Sequence, residues 1–346
     1  MIITFLFIFI FLSILYFANP QNNRVKNFLL IIIGLILIMT AGLRNKGVDN
    51  DYEVYHDFWT TNNIQGTVEY SFYIIKVIIK SKLGLNFQYF LLAYAFLGVC
   101  MKLIGIKKLS PFLWGSVLIY FSHYFLLHEF TQIRIGVATG FLLIALFYLA
   151  KKKFVIFYLY AILAVFFHQS CFIALFFILL SNNNKRFWIY YFIIPLGYIF
   201  YFLNTYLSIT IPIPGLQDKI DGYQQATESG FLKESKINPF NYLLIIRIAI
   251  FYVLMIYSKK ISSHLSSFYL LTKIYAFSIF SFLYLSSIPV FSFRIQELLG
   301  VVEIILIPAL SIIFVKQFKY MGKIIVCCIA LCIFLLDVFY NNYIIT

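Results

Sequence analysis

The chain has 346 residues, of which 62% are hydrophobic and only 12% are charged. Its mean hydropathy of +0.92 lies far above the range of soluble domains, which excludes a soluble enzyme or binding module. The net charge of +14 does not indicate a nucleic-acid partner, because the lysines fall in short loops between apolar runs. That arrangement is the positive-inside pattern of membrane proteins.

Apolar runs predict an all-α, polytopic integral membrane protein with about 10–12 transmembrane helices, forming one domain over residues 1–346. The first run, 1–17, has basic residues only after it. This order predicts an uncleaved span that begins outside the cytoplasm. Two larger loops, 44–86 and 205–240, are predicted on the outer side, and the lysine-bearing loops on the cytoplasmic side. Within the first of these loops, residues 67–84 predict an amphipathic surface helix with Lys76 and Lys80 on its polar side; the alternative is a short crossing span, which its three lysines disfavour.

The segment between two predicted cytoplasmic loops is too short for two ordinary spans. Lys151–Lys153 and Lys185–Arg186 must be separated by an even number of crossings, yet only about 30 residues lie between them, where two full spans need about 40. We predict a re-entrant-like hairpin of two short helices whose tip falls near His168. The alternative is one long tilted span, which would place Lys185 and Arg186 outside.

Four of the six arginines lie at or just below the predicted outer face, against the positive-inside bias: Arg44, Arg134, Arg247 and Arg294. Arginine binds phosphate through two parallel hydrogen bonds, so these four are candidate phosphate ligands. The alternative is a set of structural ion pairs within the helical bundle. Asp49 after Arg44 and Glu297 after Arg294 provide acidic neighbours for two of them.

His168 lies deep in an apolar stretch, beside Gln169 and Ser170 at the predicted hairpin tip. Ionisable residues within membrane segments are functional candidates, and broken helices often line sites. A hydrogen-bonded core histidine is the alternative. The sequence has no metal-ligand spacing and no phosphate-binding glycine loop, so no metal or cofactor is expected and an ATP-driven machine is disfavoured.

Motifs in three segments of the sequence resemble one known family, and the first segment contributes two short strings. RNKGVDNDY from Arg44 and EYSFY from Glu69 resemble the first external loop of the EpsG family of exopolysaccharide polymerases, which are Wzy-like O-antigen and capsule polymerases. FTQIR, which ends at Arg134, and FHQS around His168 resemble two later segments of that family. The resemblance covers roughly residues 25–180 and, beyond them, extends only to the topology.

The resemblance implies a glycosyltransferase at the periplasmic face of the bacterial inner membrane. Wzy-like polymerases move a growing glycan from undecaprenyl diphosphate onto the sugar of another lipid-linked repeat unit. The four outward arginines would hold the diphosphate, and Asp49, His168 or Glu297 would activate the acceptor hydroxyl. The implied partners are the lipid-linked donor and acceptor, membrane lipid and, as a candidate, a chain-length regulator protein. No nucleic acid is expected.

Two rival functions remain open at this point. An O-antigen ligase of lipopolysaccharide biosynthesis uses the same chemistry, and the external loops do not separate it from a polymerase. A flippase or transporter for lipid-linked oligosaccharides belongs to another class. It should carry charges through the membrane midplane and show two related halves, whereas this sequence concentrates its charges at the outer face and shows no internal repeat.

Overall fold

The computed structural model describes residues 1–49, 51–61, 69–207 and 237–344, and these residues are helical with no strand among them. The predicted all-α, polytopic class is confirmed. Most of the predicted external loop 205–240 lies outside the described residues.

The α-helices of the described part are numbered in chain order: α1 Ile2–Ala18, α2 Asn23–Gly42, α3 Tyr52–Thr60, α4 Tyr70–Lys76, α5 Phe87–Leu109, α6 Leu113–Ile119, α7 Ile133–Ala150, α8 Phe154–Phe167, α9 Ile193–Leu207, α10 Tyr242–Ile256, α11 Ser258–Ser262, α12 Phe268–Tyr284, α13 Pro289–Gly300, α14 Glu303–Ala309 and α15 Lys319–Leu335. Three of them continue as π-helices: α4 as Val77–Lys82, α6 as Tyr120–Thr131 and α15 as Leu336–Tyr340. The 3₁₀ helices are Gln169–Leu179, Phe187–Phe192, Leu310–Ile312 and Lys316–Phe318.

Fewer helices than predicted are long enough to span a membrane alone. Among the described residues, five qualify by length and apolar composition: Asn23–Gly42, Phe87–Leu109, Ile133–Ala150, Phe187–Tyr206 and Tyr320–Tyr340. A sixth results if Pro289–Gly300 and Glu303–Ile312, bent by 54°, count as one span. Other predicted spans correspond to apolar helices of only 10–17 residues. Hydropathy reports apolar runs, but it does not show where a helix breaks within or between them.

The chain forms two compact units. Unit 1 comprises Met1–Asn182, Tyr257–Leu271 and Val301–Thr346, and unit 2 comprises Asn183–Ile256 and Thr272–Gly300. Both are discontinuous in sequence. The expectation of a single domain over 1–346 stays a prediction.

One end of unit 1, called here the lysine end, is defined by contacts of Lys107, Lys260 and Lys323 near the ends of helices. All three lysines bind groups of other segments: Lys107 donates to Asn27 Oδ1 (2.8 Å), Lys323 to the Phe17 carbonyl (3.0 Å) and Lys260 to the Ile313 carbonyl (2.9 Å). Gly115 in the first turn of α6 packs against Tyr16 and Pro308 and joins these contacts into one region. The predicted cytoplasmic loops of unit 1 therefore meet at the same end.

The predicted hairpin is present, with its tip at His168. The α-helix α8 ends there, where the backbone is extended at φ −153° and ψ 118°, and the 3₁₀ helix Gln169–Leu179 follows. The side chain of Asn182 then binds the Ser266 carbonyl (2.9 Å) and the Leu270 N–H (3.2 Å), close to the lysine end. A 3₁₀ helix rises about 2.0 Å per residue against about 1.5 Å in an α-helix, so eleven residues return as far as the fourteen of α8 advance.

The helices α3 and α4 pack as a layer against α5, with two lysines in an unexpected place. Lys76 and Lys80, predicted on the polar side of the amphipathic helix, instead donate to the carbonyls at the end of α3: Lys76 to Phe58 (2.8 Å) and Thr61, and Lys80 to Trp59 (2.8 Å). Those carbonyls lack partners within their own helix, and cations are favourable at a helix C-terminus. The amphipathic pattern predicted the helix but not that its polar side would cap a neighbour.

Aromatic side chains fill the space beneath this layer. The ring of Phe72 on α4 lies 4.7 Å from that of Phe90 on α5, and the ring of Trp59 on α3 lies 5.4 Å from Phe90. Phe72 and Phe90 are completely buried. This packing fixes α3 and α4 against α5.

Unit 2, considered by itself, packs its helices through hydroxyl-to-carbonyl hydrogen bonds. Tyr275 donates to the Arg247 carbonyl of α10 (3.1 Å), and Ser278 donates to the Gln296 carbonyl of α13 (2.7 Å). These bonds place α12 beside both α10 and α13.

Candidate functional site

A charged cluster lies at the end of unit 1 where α4 and α7 begin and α8 ends. Glu69 immediately precedes α4, Arg134 is the second residue of α7, and His168 terminates α8. The Nδ1 atom of His168 lies 2.7 Å from Glu69 Oε1, and Arg134 Nη1 binds Glu69 Oε2. One carboxylate thus joins two residues that the sequence singled out separately, Arg134 and His168.

Glu69 is ionised in this setting. Burial raises the pKa of Glu69, but the hydrogen bond from His168 and the charge of Arg134 outweigh it and lower the pKa from 4.5 to about 2. An ionised carboxylate only accepts hydrogen bonds, so Nδ1 of His168 carries the hydrogen in the neutral ring. The lone pair of the imidazole is then on Nε2.

The Nε2 atom of His168 is available for chemistry. His168 is 7% exposed, and its Nε2 atom has no hydrogen-bond partner among the described residues. A buried polar atom without a partner usually indicates a missing ligand, water or reactant. A histidine held through Nδ1 by a carboxylate, with Nε2 unoccupied, has the arrangement of a general base.

Arg134 differs from the other candidates of unit 1 in its exposure. Its side chain is 21% exposed, and it stands in the first turn of α7, where the helix dipole is positive. Its guanidinium has donors besides the Nη1 group that binds Glu69. These properties suit an anion approaching from solution.

Arg44, in contrast, is buried with Asp49. Its Nε lies 2.6 Å from Asp49 Oδ2, and its exposed fraction is 1%. Asp49 is buried as well and orients Arg44, which is the ion-pair alternative considered from the sequence. Asp49 Oδ1 also accepts the Asp51 N–H (3.0 Å), so both of its oxygens are occupied.

Tyr55 of α3 lies between the two arginines. Its hydroxyl donates to the Thr131 carbonyl (2.9 Å) and lies close to Arg134. Burial raises the pKa of Tyr55 to about 12, so its hydroxyl keeps its proton at neutral pH.

Further polar side-chain pairs occupy the interior of unit 1. Lys102 Nζ lies 2.7 Å from Glu129 Oε1, which also accepts the Tyr120 hydroxyl (3.0 Å). Glu129 stands shortly before Arg134 in the sequence, but it pairs with Lys102 on α5. His123 Nδ1 lies 2.5 Å from Asp337 Oδ2 in a second buried pair.

The remaining candidates belong to unit 2. Arg247 on α10 and Glu297 on α13 are buried, and Arg294 is half-buried one turn before Glu297. Their predicted roles in binding the diphosphate and activating the acceptor stay predictions.

Glu69 begins the motif EYSFY, but no role was predicted for it from the sequence. The signal available was an acidic residue directly before an amphipathic helix in a segment rich in aromatic residues. Lys102 was missed as well, although a lysine inside a predicted span is itself a signal of a buried partner.

Comparison with known proteins points in one direction. The model of the EpsG family matches residues 27–345. Among curated proteins, the amylovoran biosynthesis protein AmsC of Erwinia amylovora is 24% identical over 176 residues, which cover 47% of this chain and 47% of that protein. The chain therefore matches about half the length of this relative. No solved structure matches the chain.

Proposed function

The chain belongs to the EpsG family, and on that premise we propose that it is a Wzy-like polysaccharide polymerase. It joins oligosaccharide repeat units carried on undecaprenyl diphosphate at the periplasmic face of the inner membrane. The observation that carries the proposal is the unpartnered Nε2 atom of His168, held by ionised Glu69 beside Arg134. In this cluster the candidate base and the candidate cation bind the two oxygens of the same carboxylate.

In the proposed reaction, His168 removes the proton of the acceptor hydroxyl. The hydroxyl oxygen forms a bond to the anomeric carbon of the donor sugar, and the bond from that carbon to the diphosphate oxygen breaks. The proton passes to Nε2, and the bonding electrons leave with undecaprenyl diphosphate. Glu69 stabilises the imidazolium that forms, as the carboxylate does in hydrolytic triads.

Arg134 stabilises the charge that develops on the departing diphosphate. A planar guanidinium binds phosphate oxygens in pairs, and its effect is largest on charge that grows in the transition state. Arg247 and Arg294 remain proposed as further diphosphate ligands and Glu297 as an alternative base. Asp49 is less suited to be the base, because Arg44 and a backbone N–H already occupy its oxygens.

The test is complementation of a deletion strain with His168→Ala. We expect long-chain glycan to fall about 100-fold while surface glycan of single repeat length persists, since general bases contribute about 100-fold to 10,000-fold in rate. Gln169→Ala is the matched control, because Gln169 is the exposed neighbour of His168 and has no assigned role. Immunoblots of membranes check that each variant is present at the normal level.

Three outcomes would oppose this function. A normal glycan ladder from His168→Ala removes the base. Complete loss of surface glycan, with lipid-linked repeat units accumulating inside the cell, indicates a flippase. Free long-chain polymer that is not transferred to lipid A indicates a ligase.

A further inference from the structure

The helix that leads to Arg134 ends in carbonyls that its own hydrogen bonds cannot satisfy. In a π-helix the carbonyl of residue i bonds the N–H of residue i+5, so the last carbonyls are left over. In Tyr120–Thr131 the carbonyl of Leu127 is the acceptor for the Gln132 N–H, and the carbonyls of Glu129, Phe130 and Thr131 come after it.

All three of these carbonyls accept hydrogen bonds from the external segment 44–55. Arg44 Nη1 donates to the Glu129 carbonyl (3.3 Å) and Nη2 to the Phe130 carbonyl (2.9 Å). Tyr55 donates to the Thr131 carbonyl (2.9 Å). The segment therefore caps the carbonyls of three consecutive residues, 129–131. Only Gln132 lies between these residues and the start of α7.

Arg44 is itself held in place from two sides. Its Nε binds Asp49, and the second Nη1 hydrogen binds the Ala41 carbonyl (2.8 Å) at the end of α2. Four of the five N–H donors of the guanidinium are thus engaged by protein acceptors. The side chain is fully buried, so a phosphate oxygen has no approach to it.

We propose that Arg44, Asp49 and Tyr55 form a clamp that positions Arg134, and that Arg44 does not contact the diphosphate. The inference rests on the proposed function, because it assigns a role relative to the Arg134 site. It changes the role expected of Arg44 from the sequence. Arg44, Asp49 and Tyr55 are positioning residues, and Arg134 is the cation that meets the substrate.

The mechanism follows from the short distance along the chain between the clamp and the site. Thr131 is capped, Gln132 follows, and α7 begins at Ile133, one residue before Arg134. Releasing the three carbonyls frees the first turn of α7, which shifts the Arg134 guanidinium and the Glu69 carboxylate bound to it. Positioning errors of this kind lower reaction rates even when all reacting groups are retained.

A double-mutant cycle tests the clamp. Arg44→Lys keeps the charge but loses the planar fork, so we expect the initial rate of polymerisation of a synthetic lipid-linked repeat unit to fall about tenfold. In an Arg134→Lys background, Arg44→Lys should lower the rate less than about twofold further, because the group that it positions is already changed. Lys46→Ala is the matched control: its ion pair with Glu53 lies in the same segment but is exposed, and its rate should be unchanged.

Hydrogen exchange gives a readout that does not depend on activity. Peptides covering 129–136 should exchange faster in Arg44→Lys and Tyr55→Phe than in the wild type, and at the wild-type rate in Arg134→Lys. Fully multiplicative rate losses in the cycle, or unchanged exchange in both clamp variants, would overturn the clamp. If neither the wild type nor any variant polymerises the repeat unit, the proposed function fails. The exchange data then still show whether the clamp holds the start of α7.

Discussion

Glu69 connects the candidate base to the candidate cation, because its two oxygens bind residues from two different helices. His168 at the end of α8 binds one oxygen and Arg134 at the start of α7 binds the other. Such a carboxylate is unsuited to donate a proton at neutral pH, since its pKa is about 2. Its effect is to fix the tautomer of the imidazole and the orientation of the guanidinium.

This pKa predicts how the stability of the protein depends on pH. The folded-state pKa of Glu69 lies below its ordinary value of 4.5, so the stabilisation from its ionised form is fully present above pH 4.5 and is lost as the pH falls towards 2. The difference between the two pKa values corresponds to about 3 kcal/mol of unfolding free energy. Thermal denaturation of the detergent-solubilised protein from about pH 7 to about pH 3 measures the part of this loss that occurs above pH 3, about 2 kcal/mol.

Glu69→Gln provides the comparison. It removes the titrating group and keeps the side-chain shape, so the variant should be less stable near neutral pH and should show a smaller loss of stability on acidification. Parallel curves for the wild type and Glu69→Gln would show that Glu69 does not carry the predicted stabilisation.

The same residue type has two different environments in unit 1. Arg44 is enclosed by protein acceptors, whereas the side chain of Arg134 is partly exposed in the first turn of α7. From residue type and position in the sequence, both were predicted to be phosphate ligands. Burial separates them, because Arg44 is enclosed and four of its five N–H donors are engaged by protein acceptors, whereas Arg134 is reachable from solution.

At the scale of elements, changes of helix type fit short segments to their positions. The 3₁₀ helix Gln169–Leu179 spans the length of the hairpin with few residues. The π-helix Tyr120–Thr131 contributes His123 and Glu129, one residue to each of two buried pairs. π-Helical turns are often found at functional sites. Here the π-helix also ends directly before the turn that presents Arg134.

The contact between α5 and this π-helix predicts a sensitive glycine. A Cβ atom added at Gly98 would overlap the carboxylate of Glu129 and displace it from Lys102. Breaking a buried ion pair costs about 3–5 kcal/mol, so Gly98→Ala should lower the denaturation temperature and the yield of folded protein. Size-exclusion chromatography and thermal denaturation in detergent measure both effects.

Gly34→Ala is the control for that substitution. A Cβ atom there would meet only Cδ1 of Leu103 at 3.1 Å, the end of a flexible side chain that can move aside. We expect a small effect on stability. Equal stability of the two alanine variants would contradict the proposed fit between α5 and the π-helix.

At the scale of unit 1, its contacts separate two ends. Lysines and their carbonyl partners gather at the lysine end, while Arg44, Glu69, Arg134 and His168 belong to segments at the other. The positive-inside rule predicts that the lysine end faces the cytoplasm. This orientation would leave the candidate site on the outer side, as the proposed function requires.

Reporter fusions test that orientation. Fusions after Lys153 and after Asn182 should both report the cytoplasm, because α8 and the 3₁₀ helix form a hairpin between them. A fusion after Lys46 should report the outside. A fusion after Asn182 on the outer side would contradict the hairpin in the membrane, and reversal of all three would place the candidate site in the cytoplasm.

The sequence alone determined the features that depend on local composition. Apolar runs established the helical membrane class, and the lysine-bearing loops of unit 1 predicted its lysine end. The short interval between two basic loops predicted the break at His168. Such inferences succeed because the membrane acts on each segment through its own hydropathy and charge, largely independently of the rest of the chain.

The tertiary structure decided which charges meet. Arg134 pairs with Glu69, which is 65 residues away, and not with the nearby Glu129; Glu129 pairs with Lys102, and Arg44 turns inward to Asp49 and the end of a π-helix. The sequence offered Asp49 as a neighbour of Arg44, but it did not give the other two pairs, because a buried charge takes whichever opposite charge the packed helices bring within reach. The number of full-length spans was decided in the same way, since packing determines where an apolar run bends, shortens or changes its helix type.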